Sequence, residues 1–535
     1  MISIRKQLKV LPALVIPLAL AGCNATMPKS LTSAIPGAEQ PIPEKTMLAQ
    51  ASEIREANAD NDPGAGVRRF SSVDYDNRYV VNSNEINGYL QSIGDRLLDS
   101  WEGEKPEYAV TVVYGDELNA HVTSHQNIFL PTGWIHTVES EDELAAILAH
   151  ELAHIILRHP YTLEGRKQGQ HFLQDAGEWA TTLTVLSGMR GGMNGGQFNL
   201  AIADQDETAK RMFAVMAAGT AIYEIKRSLI DPDISRTQEE QADFLAVDLL
   251  DQAGYNRNAF LDVMQRLANY RADVEDRVAK LEKKHEEAQG KLQEQVDGLM
   301  AQGNFSAGMG AAIGGITEIA TDQAIGRAQA WLAERRRTHF DPDYRSQRAR
   351  AYLRTHYSRS LPPATRVSSF KSAKARSGFN GVFDAHKDAE LALNLLKAGE
   401  TNQASRLAYN AIRTPARHSP YPWMVLAEVR HDQRRINDAV ENYELAIQRK
   451  GPPDVYQSLA QVYWQQGEYE RALGAIEEGR NAYDDDDVFL PFAAQMNGML
   501  GRNAEAEKIV KRCQSTGNRK LKEECEAVKK NLGDS

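Results

Sequence analysis

The chain has 535 residues, too many for a single hydrophobic core, so about three or four folding units are expected. With 42% hydrophobic and 25% charged residues it is globular in composition, and a net charge of −11 leaves no dense basic surface for nucleic acid.

At the N-terminus, Arg5, Lys6 and Lys9 precede the apolar run Val10 to Leu20. That run is too short for an ordinary transmembrane helix and fits the apolar core of a signal peptide over residues 1–22. It ends in Leu20-Ala21-Gly22-Cys23, which resembles the bacterial lipobox. The resemblance implies cleavage before Cys23 and acylation of its thiol. Asn24 in the next position implies, by the sorting rule of that class, the periplasmic face of the outer membrane. Residues 23–62, rich in Pro, Ala, Ser and Glu, read as a tether. No later segment offers 18 uninterrupted apolar residues, so the lipid is expected to be the only stable membrane attachment.

Ile86, Tyr89, Leu90, Ile93, Leu97 and Leu98 recur at helical spacing and predict an amphipathic helix from about Asn82 to Trp101. Alternation from Tyr108 to Tyr114 predicts a strand, and Gln126 to His136 contains a second extended stretch, expected as an edge strand able to pair with an extended peptide. An apolar-periodic helix with acidic residues in its first turn follows from Glu141. It carries His150-Glu151-Leu152-Ala153-His154, in which two imidazoles four residues apart project from one face with a glutamate between them. This arrangement binds catalytic zinc, with Glu151 as general base, if a third protein ligand comes from elsewhere. Two histidines at this spacing also arise by chance on surface helices. Here the flanking Ile147, Leu148, Leu152, Ile155 and Ile156 predict burial, which is costly for three polar groups unless a metal or hydrogen bonds compensate.

Glycine-rich segments at 188–196 and 303–320 flank an apolar helix near Met212 to Ile225 and a charged helical arm at about 270–302 with near-heptad apolar positions. The glycine segments read as mobile insertions, with lid hinges or lipid-touching surfaces as alternatives. Between the histidine helix and this arm, Ser235 to Asp243 offers acidic candidates for the missing ligand just before an apolar helix.

From residue 387 to 535 a repeat of 33 to 34 residues emerges: Trp423, Leu426, Ala427, Ala439, Tyr443 and Ala446 recur as Tyr456, Leu459, Ala460, Ala472, Ile476 and Gly479. Leu391 to Ala411 and Phe489 to Ile509 fit an earlier and a more degenerate later unit. This resembles tetratricopeptide repeats, and about four helix pairs stacked as a superhelix would present a concave partner-binding face. Cys513 and Cys525 form a possible disulfide across a terminal helical hairpin, or remain two thiols.

Taken together, the motifs over about residues 67–366 resemble the gluzincin-type zinc metallopeptidases of the HtpX and BepA class. The resemblance implies an α+β, mostly helical zincin-type metallopeptidase domain over residues 63–370, with a small sheet and the histidine helix, followed by the all-α repeat superhelix. It places the third Zn2+ ligand at Glu239 and an orienting carboxylate at Asp243, and leaves Glu240, about 100° round the helix, to solvent. Asn119-Ala120 matches a substrate-side pair preceding the edge strand, whose residues Asn127, Ile128 and Phe129 would hold peptide, and Arg158-His159 matches an extension of the zinc helix. His339 with Arg345 matches a late catalytic element, although Phe340 replaces the usual proline. There the histidine would stabilise the oxyanion or cover the metal as a latch. The implied function is a zinc endopeptidase of misfolded or unassembled envelope proteins, with outer-membrane proteins or their assembly machinery as partners through the repeats. An assembly chaperone with a latent site, and a scaffolding lipoprotein with structural zinc, stand as alternatives.

Overall fold

The computed structural model describes residues 41–59, 79–159 apart from 124, 236–273 with a few positions up to 283, and 341–533 apart from 484–485 and 517–518. Cys23, His339, both glycine-rich segments, the helix expected near 212–225 and the helical arm beyond 283 lie outside the described residues. Among the described residues no helix is long and apolar enough to cross a membrane.

The expected tether is shorter than its composition suggests. Within it, α1 (Met47–Ala57) is a helix with Met47 and Ala51 buried. Its first two amides are capped from elsewhere in the fold, Met47 N–H donating to Tyr352 Oη at 2.6 Å and Leu48 N–H to Asp248 Oδ2 at 2.8 Å. A helix start whose N–H groups find such partners loses nothing on burial.

A small mixed sheet follows, in the order β1-β2-β4-β3. β1 (Tyr79–Val80) pairs antiparallel with β2 (Ala109–Tyr114), which runs parallel to β4 (Asn127–Pro131) with Val110 opposite Ile128 and Val112 opposite Leu130. β3 (His121–Val122) pairs antiparallel with β4. Between β1 and β2 lies α2 (Asn84–Asp99), capped by Ser83, whose Oγ accepts from Ile86 N–H at 3.4 Å, and burying Ile86, Leu90, Ile93, Leu97 and Leu98 as expected from their spacing.

The extended stretch expected within Gln126 to His136 is β4, which occupies the first part of that segment. Only β4 is strand; Thr132–Thr137 turns into a short helix, α3. β4 is also an inner strand, because the turn at Thr123 to Asn127, with Gln126 at φ 59°, folds β3 against its outer side. Asn127, Ile128 and Phe129 are therefore core residues, each at most 1% exposed, and the expectation that they form a peptide-binding edge is corrected.

Two helices complete the core of this region. In α4 (Glu141–Ile156) only Glu141 and His150 escape full burial. Leu144, Leu148 and Leu152 are wholly inaccessible, each such side chain contributing ~1.5–3 kcal/mol relative to exposure. Ser140 caps α4, its Oγ accepting from Glu143 N–H at 3.2 Å while the Glu143 carboxylate accepts from Glu139 N–H, a capping box shifted by one residue. α5 (Arg236–Gln252) packs along α4, and α6 (Pro342–Tyr357) packs on α5, with Tyr352 stacked on Phe244 at 4.2 Å.

The C-terminal region is helical throughout its described length. A short α7 (Val367–Lys374) leads to α8 (Ser377–Lys397) and α9 (Thr401–Ala411), α10 (Pro420–Asp432) and α11 (Ile436–Gln448), α12 (Pro453–Gln465) and α13 (Tyr469–Ala482), then α14 (Leu490–Met499) and α15 (Asn503–Ser515). Each consecutive pair packs on itself and on its neighbours. The first helix of every pair ends at a left-handed residue, Gly399, Arg434, Gly467 or Gly501, and the next amide bonds back to the carbonyl five residues earlier. Gly479 is small for a packing reason: a Cβ there would lie 2.7 Å from the Phe489 ring. A final α16 (Arg519–Gly533) is joined to α15 by a disulfide between Cys513 and Cys525.

Candidate active site

α4 and α5 pack with their polar faces opposed, which brings His150 and His154 against Glu239. The two Nε2 atoms are 3.2 Å apart, and the Glu239 carboxylate oxygens lie 3.7 Å from His150 Nε2 and 3.8 Å from His154 Nε2. One ligand atom from each of the three lies within 4.8 Å of the others. Tetrahedral zinc with bonds near 2.0–2.1 Å separates its ligand atoms by roughly 3.3 Å, so two imidazoles and a carboxylate at these distances fit the ion.

The outer nitrogens are also committed. His150 Nδ1 lies 3.0 Å from Asp243 Oδ1, one turn beyond Glu239 on the same face of α5. His154 Nδ1 lies 2.8 Å from His159 Nδ1, and His159 Nε2 lies 3.2 Å from Gln241 Oε1. A single proton assignment suits every pair. His150 donates from Nδ1 to Asp243, His154 from Nδ1 to His159, and His159 from Nε2 to Gln241, leaving both inner Nε2 lone pairs for a metal.

Arg345, in the first turn of α6, packs against the same carboxylates with its side chain 14% exposed. Its Nε donates to Asp243 Oδ2 at 2.8 Å, Nη1 lies 3.4 Å from Glu239 Oε2, and Nη2 lies 3.4 Å from either ring nitrogen of His150. It therefore sits among the ligand set as a counter-ion. Glu240 corrects an expectation: it is not left to solvent but ion-paired with Arg348, whose Nε donates to Oε2 at 3.1 Å.

The electrostatics follow from burial and from this neighbourhood. Burial holds His154 well below the usual histidine range, and the neighbouring His150, His159 and Arg345 push the same way, so its ring is neutral as ligation requires. Burial likewise pushes His159 down to about 4, against the hydrogen bond it donates to Gln241 Oε1. Burial lowers His150 too, but the hydrogen bond and charge of Asp243 outweigh it and leave the ring raised. For Asp243, burial raises the carboxyl, while Arg345 and the bond to His150 overcome that and hold it below its ordinary value.

Glu151 is 7% exposed and occupies the helix position between the two ligating histidines. Asn119 and Ala120 are half-buried and lead into β3, the end strand on this side, which packs beside α4. Sequence reasoning gave no role to His159, Gln241 or Arg348. The one available signal was Arg158-His159 directly after the zinc helix, but its meaning depends on a turn that local periodicity does not encode.

The family described as peptidase family M48 matches residues 84–356, just over half of the 535-residue chain. Among individual relatives, a candidate beta-barrel assembly-enhancing protease of Vibrio cholerae is 26% identical over 193 residues, 36% of this chain and 35% of that protein. The beta-barrel assembly-enhancing proteases of Yersinia pestis and Escherichia coli are each 25% identical, over 183 and 178 residues, covering 34% and 33% of this chain and 32% and 35% of theirs. The chain thus spans about a third of the length of the curated relatives it matches. These matches bear out the resemblance at the level of the family and of distant similarity to such proteases. Since the family match takes in α4, α5 and nearly all of α6, the three helices that assemble the ligand set, the chain belongs to peptidase family M48, a family of zinc metallopeptidases.

Proposed function

We propose that this protein is a zinc-dependent endopeptidase that hydrolyses peptide bonds of misfolded or unassembled envelope proteins while anchored through Cys23 at the periplasmic face of the outer membrane. The observation that carries the enzymatic part is the placement of Glu151 on α4 between two histidines whose inner nitrogens converge with Glu239. His150, His154 and Glu239 would hold the zinc ion, which when bound would supply Lewis acidity at the scissile carbonyl. Glu151 accepts the proton of the attacking water and returns it to the departing amine. Asp243 and His159 hold the two imidazoles in the tautomer that ligation needs, and Arg345 helps to keep Asp243 ionised.

The anchoring rests on Leu20-Ala21-Gly22-Cys23. The reading of the C-terminal helices as tetratricopeptide repeats is supported by their 33-residue recurrence and by the left-handed turn that closes the first helix of each pair. In this proposal the repeats recruit clients, and the relatives' name, beta-barrel assembly-enhancing protease, favours β-barrel proteins among them. The test is a digest of an unfolded outer-membrane protein, or of casein, by wild type, by Glu151→Gln and by chelated protein. Cleavage is expected from wild type alone, with zinc retained in Glu151→Gln; cleavage that survives both treatments rejects the mechanism. Incorporation of a labelled fatty acid into wild type but not Cys23→Ser tests the anchor separately.

A further inference from the structure

The zinc helix ends in a Schellman turn. Leu157 closes α4, Arg158 takes the left-handed conformation at φ 51°, His159 N–H donates to His154 O at 3.1 Å and Arg158 N–H to Ile155 O at 3.2 Å. This turn brings the chain back so that the His159 ring meets the ring of His154. An arginine rather than a glycine holds the left-handed position, and a residue with a Cβ stays there only where its surroundings impose it.

Arg158 Nη2 lies 3.6 Å from the Glu104 carboxylate, and α1 holds the carbonyls on either side of the turn's start. Of the four terminal carbonyls of α4, the turn itself satisfies His154 and Ile155. Arg55 Nη1 donates to Ile156 O at 3.0 Å, and Asn58 Nδ2 donates to Leu157 O at 2.7 Å. The guanidinium also places positive charge at the negative end of the helix dipole. At its other end α1 is fastened to Asp248 of α5 and Tyr352 of α6. One helix thus ties the C-terminus of α4, which carries two ligands, to α5, which carries the third.

We propose that α1, through Arg55 and Asn58, is a strap that holds the Leu157-Arg158-His159 turn, and that His159 is a positioning residue that fixes the orientation and tautomer of the His154 ligand. The reverse proton assignment, with His159 donating from Nδ1, forces the His154 proton onto Nε2, where it points at His150 Nε2 across 3.2 Å and closes the ligand gap. Gln241 favours the first assignment by presenting its Oε1 to His159 Nε2 at 3.2 Å. The metal site is therefore supported by a segment N-terminal to the family match, within a stretch whose composition suggested only a linker.

The inference rests on His150, His154 and Glu239 binding zinc, and the experiment separates the two. Zinc affinity of the full chain is measured by competition with a chromophoric chelator for wild type, His159→Phe, His159→Gln and Asn58→Asp, with the visible spectrum of the cobalt-substituted protein recorded for each. Wild type binds one zinc. His159→Phe, which removes the acceptor, weakens binding by roughly 10–100-fold and alters the cobalt spectrum, while His159→Gln, which keeps one, recovers most of both. Asn58→Asp exchanges a donor for a negative charge beside the Leu157 carbonyl at a half-buried position; with far-ultraviolet dichroism unchanged, it weakens zinc by about tenfold with the same spectral change. Wild-type affinity and spectrum in both His159→Phe and Asn58→Asp overturn the strap. No zinc binding by wild type overturns the metal site and the strap with it.

Discussion

His150 and Asp243 are held 3.0 Å apart, Nδ1 to Oδ1, and this contact turns the other ring nitrogen of His150 toward His154. The carboxylate thereby fixes a tautomer and adds basicity to a ligand. Asp243→Asn keeps the shape but removes the charge that favours His150 ligation. Zinc affinity is expected to fall by roughly 10–100-fold, read by chelator competition, with far-ultraviolet dichroism unchanged. Undiminished affinity would remove Asp243 from the metal site.

Arg345 gives a prediction of opposite character. It is the cation lying between Asp243 and Glu239, and burial alone would lower its pKa, yet the two carboxylates raise it. Arg345→Met leaves those carboxylates buried without their counter-ion, which destabilises the metal-free protein by about 3 kcal/mol. Zinc brings positive charge to the same place. The rise in melting temperature on adding zinc is therefore expected to be larger in Arg345→Met than in wild type, and an equal or smaller rise contradicts the counter-ion role.

The parts of this site that were legible in the sequence are those whose geometry is local. His150 and His154 lie four residues apart on one helix, and Glu239 and Asp243 repeat the same i, i+4 spacing on a second, so periodicity places each pair on one face, with Glu151 recognised by its place between the histidines. His159 was opaque because it reaches His154 only through the left-handed Arg158, a conformation that nothing in an Arg-His pair announces. β4 was misread as an edge because its own alternation is silent about the two-residue β3 that folds over it. α1 was hidden by composition: its helix is held by Asp248, Tyr352, Ile156 and Leu157, all distant in sequence.

Cys513 and Cys525 join the last two helices across a sequence separation of 12, both sulfurs wholly buried. Closing a loop of that size stabilises by about 2–3 kcal/mol, chiefly by restricting the unfolded chain. Cys525→Ser is expected to expose the C-terminal helices to limited proteolysis and to leave casein cleavage unchanged, because the bond lies far along the chain from α4 and α5. Proteolytic resistance equal to that of wild type would show that packing alone secures this pair.

His386 on α8 makes stability depend on pH. Its ring is completely buried, with Nδ1–H donating to Val382 O at 2.8 Å and the rings of Tyr114 and Tyr421 centred 5.1 and 6.2 Å away. Burial lowers its pKa to about 4, against roughly 6.5 for an unfolded histidine. Between those values the unfolded chain binds the proton and the folded protein does not, so this contribution is intact above pH 6.5 and is lost as the pH falls toward 4. The loss amounts to about 3 kcal/mol by pH 4. Denaturant melts of wild type and His386→Phe from pH 7 to pH 4 isolate the group, because the variant loses only this titration while every other carboxylate and histidine remains. The stability of wild type relative to the variant is expected to fall steadily through that interval, and parallel curves would exclude a neutral buried His386 as the source.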